Sequence, residues 1–319
     1  MIKITEEQSK ERVDKFLSEH LSISRSQIQK TIKAGNVLVN NEATTSHYKV
    51  KEDDVIEIIE TKEEIDELEA EKKQDEFKLS DIEIIADSKE YLIINKPAGL
   101  VVHEGAGVKG ITLVDLLLEK YPDLRKIGDD PARPGIVHRL DREVSGLMVI
   151  AKTQDSFDSL KVQFQKRTVE KEYTSLVYGK IDRLHGNIDF PIKRSSEGYK
   201  MAAVPVTDHD KNNFDKEGVR RALTEFEVIQ NFINYTLLKI KIKTGRTHQI
   251  RVHMLAYGHP VVGDRLYSTK RTRELNRKWQ LGRVFLVATD LSFMDLNGEK
   301  QKFELAIPLE LEEILAKVK

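Results

Sequence analysis

The chain contains no cysteine. That excludes disulfides, thiolate metal sites and a cysteine nucleophile. Long apolar runs are also missing: "YLIIN" and "LMVIA" are among the longest, far short of the ~20 residues a membrane-spanning helix needs. The N-terminus, "MIKITEEQSKERVDKFL", is charged and has no apolar h-region, so no secretory signal is read there. No G-x-x-x-x-G-K-[ST] occurs, which excludes a P-loop, and no H-E-x-x-H points to a catalytic metal. No internal repeat is found. These absences leave a soluble, cytoplasmic protein as the simplest expectation.

What is present suggests about two domains: 319 residues, 39% apolar and 33% charged. The net charge of −1 conceals a division. Residues 52–76 hold thirteen acids against three lysines, a net of −10, so the rest of the chain sums to +9. Basic blocks on either side suit a polyanionic partner, although uneven charge alone does not establish one. Inside the acidic stretch, "TKEEIDELEAEKKQDE" (61–76) is nearly devoid of apolar residues. It reads as a solvated helix or a tether. The expected organisation is therefore a first domain over 1–60, a linker over 61–76 and a second domain over 77–319.

In the first domain, "ERVDKFLSEHL" carries Val13, Phe16, Leu17 and Leu21 at helical spacing. Ser24 or Ser26 can cap a second helix, "SQIQKTIKAG", that stops at Gly35. The alternating stretch 36–59, with its "NN" turn, predicts short strands. In the second domain, strands are expected in "DIEIIA", "YLIIN", "LMVIAK", "EYTSLVYG", "LTEFEVIQ", "YTLLKIKIK" and "RVFLVATDLSF", with helices around 112–121, 156–167 and 247–257. Consecutive strands predict an α+β domain with a mixed, mostly antiparallel sheet. "GAGVKG" (105–110) matches G-x-G-x-x-G, but the following "PDLRKIGDDPARPGIVH" holds no second strand ending in an acid. A dinucleotide site is discounted on that ground. His248, His253 and His259 lack a common helical face and read as ordinary hydrogen-bonding histidines.

Three segments remain as candidates for chemistry: "HRLDREVSGL" (138–147), "KEY" (171–173) and "KTGRTHQIRVHM" (243–254). In the first, Asp141 stands between Arg139 and Arg142 and can be a surface ion pair, a metal ligand or a reacting group. In the third, Gly245 and Thr247 open a helix whose first turns carry Arg246, Gln249 and Arg251, where free backbone N–H groups welcome anions. A basic helix start with solvated arginines is the plainer account of that segment.

Together with "NKPAGLVVHEGAG" (95–107) and "HPVVGDRLY" (259–267), these segments resemble the RNA pseudouridine synthases, in particular their ribosomal large-subunit branch. Residues 12–41 resemble the small S-four-type RNA-binding domain that this branch often carries at its N-terminus. The resemblance implies isomerisation of uridine to pseudouridine, with 23S rRNA or a pre-ribosomal particle as partner and no cofactor or metal. A transfer-RNA substrate, or a non-catalytic RNA-binding assembly factor with the same fold, are the alternatives. It assigns Asp141 as the reacting carboxylate, Arg251 as the group keeping it charged and oriented, and Tyr173 as the ring that stacks on uracil and serves proton transfer. Arg139 resembles the residue that enters the RNA stack when the uridine flips out, and Arg246 and Gln249 are expected to contact RNA. Arg25, Lys30 and Lys33, with Gln29 between them, are expected to form a phosphate-binding face in the first domain. Glu143, Val144 and Glu104 depart from the family pattern and are expected not to touch the reactive positions. A monomer is expected.

Overall fold

The computed structural model describes residues 2–21, 25–33, 35–58, 77–105, 110–195, 200–204 and 218–318. The chain divides into two compact units, residues 1–72 and 73–319. The acidic segment 61–76, where the linker is expected, lies outside the described residues.

In the first unit, the apolar stripe of "ERVDKFLSEHL" folds as α1 (Val13–Leu21), with Val13, Phe16 and Leu17 buried. α2 (Arg25–Lys33) adds Ile28 and Ile32 to the same core. Because α2 begins at Arg25, Ser26 is a helical residue and not its cap; Ser24 lies outside the described residues. Gly35, at φ +80°, takes the left-handed turn expected after the helix. β2 (Val37–Val39) and β3 (Glu42–Ala43) form a hairpin through Asn40 and Asn41, both at positive φ. That is the backbone an Asn-rich two-residue turn favours. With β1 (Ile2–Lys3) and β4 (Val55–Ile58) they make a sheet in the order β1-β4-β2-β3.

The second unit opens with β5 (Glu83–Asp87) and β6 (Tyr91–Lys96), followed by α3 (Leu113–Lys120). β7 (Ser145–Ala151), α4 (Gln154–Lys166) and β8 (Glu170–Tyr178) form the middle of the unit. Next come β9 (His185–Ile188), β10 (Ile192–Arg194), β11 (Met201–Ala203), β12 (Thr224–Asn231) and β13 (Tyr235–Ile242). The unit ends with α5 (Gln249–Ala256), α6 (Lys270–Trp279), β14 (Leu286–Met294), β15 (Lys300–Glu304) and α7 (Leu309–Lys317).

The main sheet runs β5-β6-β7-β14-β8-β13-β12-β9, with β15 also paired to β14. β7 and β14 are the one parallel pair among the described strands, so the expected mixed, mostly antiparallel α+β architecture is what forms. β6 and β7 are antiparallel. The chain between them is therefore not the parallel βαβ unit a dinucleotide site requires, and residues 106–109 of "GAGVKG" lie outside the described residues.

Two local features position the site. All seven residues of β7 are buried, as in a strand covered on both faces. At its start, Gly146 has φ +121°, and a Cβ there would lie 2.3 Å from the Ala288 carbonyl oxygen. A residue without a side chain is what lets β14 approach, and this fixes the chain five residues after Asp141.

Candidate active site

Asp141 lies in the loop that leads into β7, its carbonyl accepting from Val144 N at 3.1 Å. The loop is held from below by Lys96, at the end of β6, which is fully buried. Its Nζ donates to the carbonyls of Pro97 at 2.7 Å, Leu100 at 2.8 Å and Arg142 at 3.2 Å. Burial pushes this ammonium down to about 7, with Arg283 adding to the fall and Asp141 and Glu143 opposing it. Gly99 N also donates to the Arg142 carbonyl, at 2.7 Å. "NKPAGL" and "HRLD" are thus stapled together, and Lys96 is a site residue that sequence reasoning missed.

Tyr173 projects from β8 into the core, 5% exposed. Burial, with Asp141 nearby, pushes its hydroxyl well above the ordinary range. That favours the neutral phenol, which offers a ring face and a hydroxyl donor. α5 brings in Arg251, 2% exposed. Asp141, Tyr173 and Arg251 line one open pocket, together with Arg139, Arg246 and Gln249. Segments more than a hundred residues apart in the chain are brought together as expected.

Arg251 departs from expectation in its partners. Its Nε and Nη2 donate to the two carboxylate oxygens of Asp264 at 2.6 and 2.9 Å, a bidentate pair. Nη1 donates to Glu143 at 2.8 Å, while Asp141 stands at 3.7 Å, an ion pair without a hydrogen bond. Burial would lower the guanidinium, but Asp264, Glu143 and Asp141 hold it above its usual range. Asp264 is fully buried and also accepts from Leu266 N at 3.0 Å and Tyr267 N at 2.8 Å. The Tyr267 ring lies 5.1 Å from the Arg251 guanidinium carbon, and its hydroxyl is 2.8 Å from His248 Nδ1. So Arg251 is clamped first by Asp264 and only then faces Asp141. Glu143, expected to stay clear of the reactive positions, is part of this cluster.

Gln249 also needs correction as an RNA contact. It is 3% exposed. Its Oε1 accepts from Thr244 Oγ1 at 2.7 Å and Arg246 N at 3.1 Å, and its Nε2 donates to Leu223 O and Thr224 Oγ1, both at 3.0 Å. All its polar capacity goes to fixing the turn before α5. Arg246 precedes that helix, and its Nε donates to the Arg221 carbonyl at 3.1 Å. Arg139 is exposed at the pocket, where a residue entering an RNA stack has to be. His253 donates from Nε2 to Phe190 O at 2.8 Å and lies 2.9 Å from Thr224 Oγ1, and His259 Nδ1 donates to Tyr178 O at 2.9 Å. Both are hydrogen-bonding histidines, as read.

The first unit changes the expected basic face. Asp14 is fully buried and accepts from Arg12 at 3.0 and 2.8 Å, Arg25 at 3.1 and 3.2 Å and Gln29 at 2.7 Å. Burial pushes its carboxyl up, but these donors outweigh burial and hold it well below the usual range. Arg25 and Gln29 therefore turn to an internal acid. Lys33 remains exposed, and the Lys30 side chain lies outside the described residues.

A stronger cationic surface is α6, "KRTRELNRKW", which sequence reasoning passed over. Lys270, Arg271, Arg277 and Lys278 are exposed and make no ion pair among the described residues. Asn276 on its inner face donates to Asp264 O at 2.9 Å and accepts from Gly263 N at 2.8 Å and Tyr178 Oη at 2.7 Å. The basic helix is thereby bolted to the loop that carries the Arg251 clamp.

Comparison with known proteins agrees with this geometry. Residues 90–256 match the RNA pseudouridylate synthase family and residues 11–56 the S4 domain. An uncharacterized RNA pseudouridine synthase of Bacillus subtilis, YlyB, is 36% identical over 98% of this chain and 96% of its own. Ribosomal large subunit pseudouridine synthase D of Blochmanniella floridana is 37% identical over 82% and 76% of the two chains. The solved structure of human RNA pseudouridylate synthase domain containing 4 shares the fold, with TM-score 0.56 over 79% of this chain and 97% of its own at 23% identity. With a family model spanning more than half of the chain and relatives aligned along nearly all of it, this protein belongs to the RNA pseudouridine synthase family.

Proposed function

We propose that the chain isomerises uridines in large-subunit ribosomal RNA, with an RNA-binding domain over 1–60, a linker over 61–76 and a catalytic domain over 77–319. The observation that carries this reading is the single pocket lined by Asp141, Tyr173 and Arg251, with Arg139 exposed at it. Isomerisation breaks the bond from N1 of uracil to C1′, turns the base and rejoins it through C5. Positive charge develops on the sugar as the first bond breaks, and a carboxylate is the group that stabilises or captures it. Asp141 supplies that carboxylate, and the Arg251 cluster fixes its place. The Tyr173 ring offers a face for the base and a hydroxyl donor. Arg139 fills the stack vacated by the flipped nucleotide, offsetting part of the few kcal/mol that flipping costs. No oxidant, reductant or group donor takes part in the balance.

The ribosomal substrate rests on relatives named ribosomal large subunit pseudouridine synthase D. Incubating the protein with 23S rRNA and with transfer RNA transcripts distinguishes the substrates. Pseudouridine is expected in the first; modification of transfer RNA alone overturns the ribosomal assignment. No described helix is long and apolar enough to cross a membrane.

The basic helix α6 gives a second test. Each phosphate contact contributes ~0.7–0.9 to the log–log salt dependence of RNA binding. Changing Lys270, Arg271, Arg277 and Lys278 to glutamine should flatten that slope by roughly three to four units and weaken binding. Turnover at saturating RNA should survive, because none of the four lines the pocket. An unchanged slope removes α6 from the RNA footprint.

A further inference from the structure

We infer that Lys171 is the cation that receives the negative charge of the uracil when it detaches from the sugar. The inference rests on the functional reading above and extends it to the base side of the pocket.

Lys171 stands two residues before Tyr173 on β8, so both side chains leave the same face of the strand. Both line the pocket that holds Asp141. Lys171 is half-buried, and the more deeply placed cations near it are satisfied. Arg251 has acids on three sides, Lys96 has three carbonyls, and Arg283 pairs with Glu310 at 2.9 Å. On the neighbouring strand, Lys239 and Lys241 share Glu172 at 3.2 and 2.7 Å. Lys171 Nζ makes no hydrogen bond or ion pair among the described residues. Its recorded partner is the face of Phe164, 5.1 Å from Nζ to the ring centroid. Across the pocket Gly245 has no side chain; a Cβ there would sit 3.9 Å from Nζ, so room for a carbonyl oxygen is left open.

His138 packs on the same phenylalanine, ring to ring at 4.7 Å. It accepts from Val149 N at 3.1 Å, and burial holds its imidazole well below the ordinary range. His138 is therefore a neutral wall and no counter-charge. Burial alone brings the Lys171 ammonium down to about 8, so it is still charged near neutrality. A desolvated, unpaired cation in a cleft is costly to keep, and such groups cluster where a ligand supplies the missing charge.

The reaction supplies that charge. When the bond from N1 to C1′ breaks, its electron pair stays with N1 and spreads onto the O2 and O4 carbonyl oxygens. The ring turns, C5 bonds to C1′ and gives up its proton, and N1 takes one, so atoms and charge balance without an outside reactant. Asp141 then answers the positive sugar and Lys171 the negative base, with Tyr173 beside both. A fixed charge aimed at charge that develops only during reaction lowers the barrier without tightening ground-state binding.

The test compares wild type, Lys171→Met and Lys171→Arg in single turnover on 23S rRNA transcribed with uridine or with 5-fluorouridine, products being read by nucleoside mass spectrometry. On uridine RNA, Lys171→Met should lose about a hundredfold in rate with RNA affinity unchanged within about threefold. Lys171→Arg should keep more of the rate because it keeps the charge. On 5-fluorouridine RNA, C5 carries fluorine and has no proton to give up, so the rate is read as the rearranged nucleoside that keeps its fluorine. Fluorine withdraws charge from the departing base, so the loss there should shrink to about tenfold or less. The thermal midpoint of Lys171→Met should stay level or rise, since an unpaired, half-buried charge is removed. An equal loss on both RNAs, a loss of affinity alone, or a collapsed midpoint overturns the inference. If wild type forms no pseudouridine in the uridine transcript, the functional reading itself fails, an outcome distinct from a Lys171→Met variant that works normally.

Discussion

Replacing Asp141 with asparagine should abolish pseudouridine formation, leaving turnover below about 1% of wild type, while RNA binding stays within about tenfold. The substitution keeps the shape of the side chain and removes its charge. Asp141 is 18% exposed and stands 3.7 Å from Arg251, so it is reachable from the pocket and is not the acid that Arg251 needs for its own burial. Asp264 fills that role. The fold should therefore tolerate Asp141→Asn, with a thermal midpoint close to that of wild type. Activity and stability separate at this position. A variant that is folded, binds RNA and turns over normally would move the reacting group elsewhere.

Arg251→Met should fail in the opposite way, losing both stability and activity. Asp264, fully buried, loses its bidentate partner, and Glu143 and Asp141 lose the cation between them. Leaving a buried charge without its partner costs about 3–5 kcal/mol. The pH dependence has a definite sign. Orphaned acids favour their protonated form in the folded variant, so their folded-state affinity for protons rises above the unfolded one. Stability is then retained at acid pH and lost as pH rises. The gap in thermal midpoint between wild type and Arg251→Met should be wider at pH 8 than at pH 5. Adding Asp264→Asn to the variant should recover part of the stability and none of the activity. An Arg251→Met midpoint equal to that of wild type at both pH values would show that the cluster does not carry the fold of the site.

The contrast between these two positions explains what was legible in the sequence. Asp141, Tyr173 and Arg251 were legible through the resemblance of their segments to one family. The residues alone left a surface ion pair open for Asp141 and solvated arginines for the start of α5, and the pocket they share is seen only in the fold. The Arg251 partner was not. Asp264 lies thirteen residues further on, beyond the end of α5, and no periodicity links an arginine inside a helix to an acid in the next loop. Gln249 misled for a related reason. A polar residue at a helix start is usually solvated, but Thr244, Leu223 and Thr224 surround this one with donors and acceptors. Lys96 was missed because lysines are almost never fully buried; three carbonyls of a tight loop make it the exception.

The fold followed the same division. Long strands with strong β character, such as "YLIIN" and "YTLLKIKIK", and helices with caps such as Thr112 and Thr153 declare themselves locally. The short strands β9, β10 and β11 have three or four residues each and exist because neighbours pair with them. α6 carries only two large apolar residues, Leu275 and Trp279, and it is placed by their packing on the core and by Asn276 bonding to the Asp264 loop. In the first unit Arg25 was read as a phosphate contact on charge and spacing, neither of which reveals the buried Asp14 it faces.

The most direct test of the account is to map pseudouridine, uridine by uridine, in 23S rRNA transcript incubated with the purified protein and no added cofactor, in parallel with Asp141→Asn. The expected result is conversion at one or a few defined uridines by wild type and none by the variant. A transcript left unconverted by wild type, or converted equally by Asp141→Asn, would contradict it.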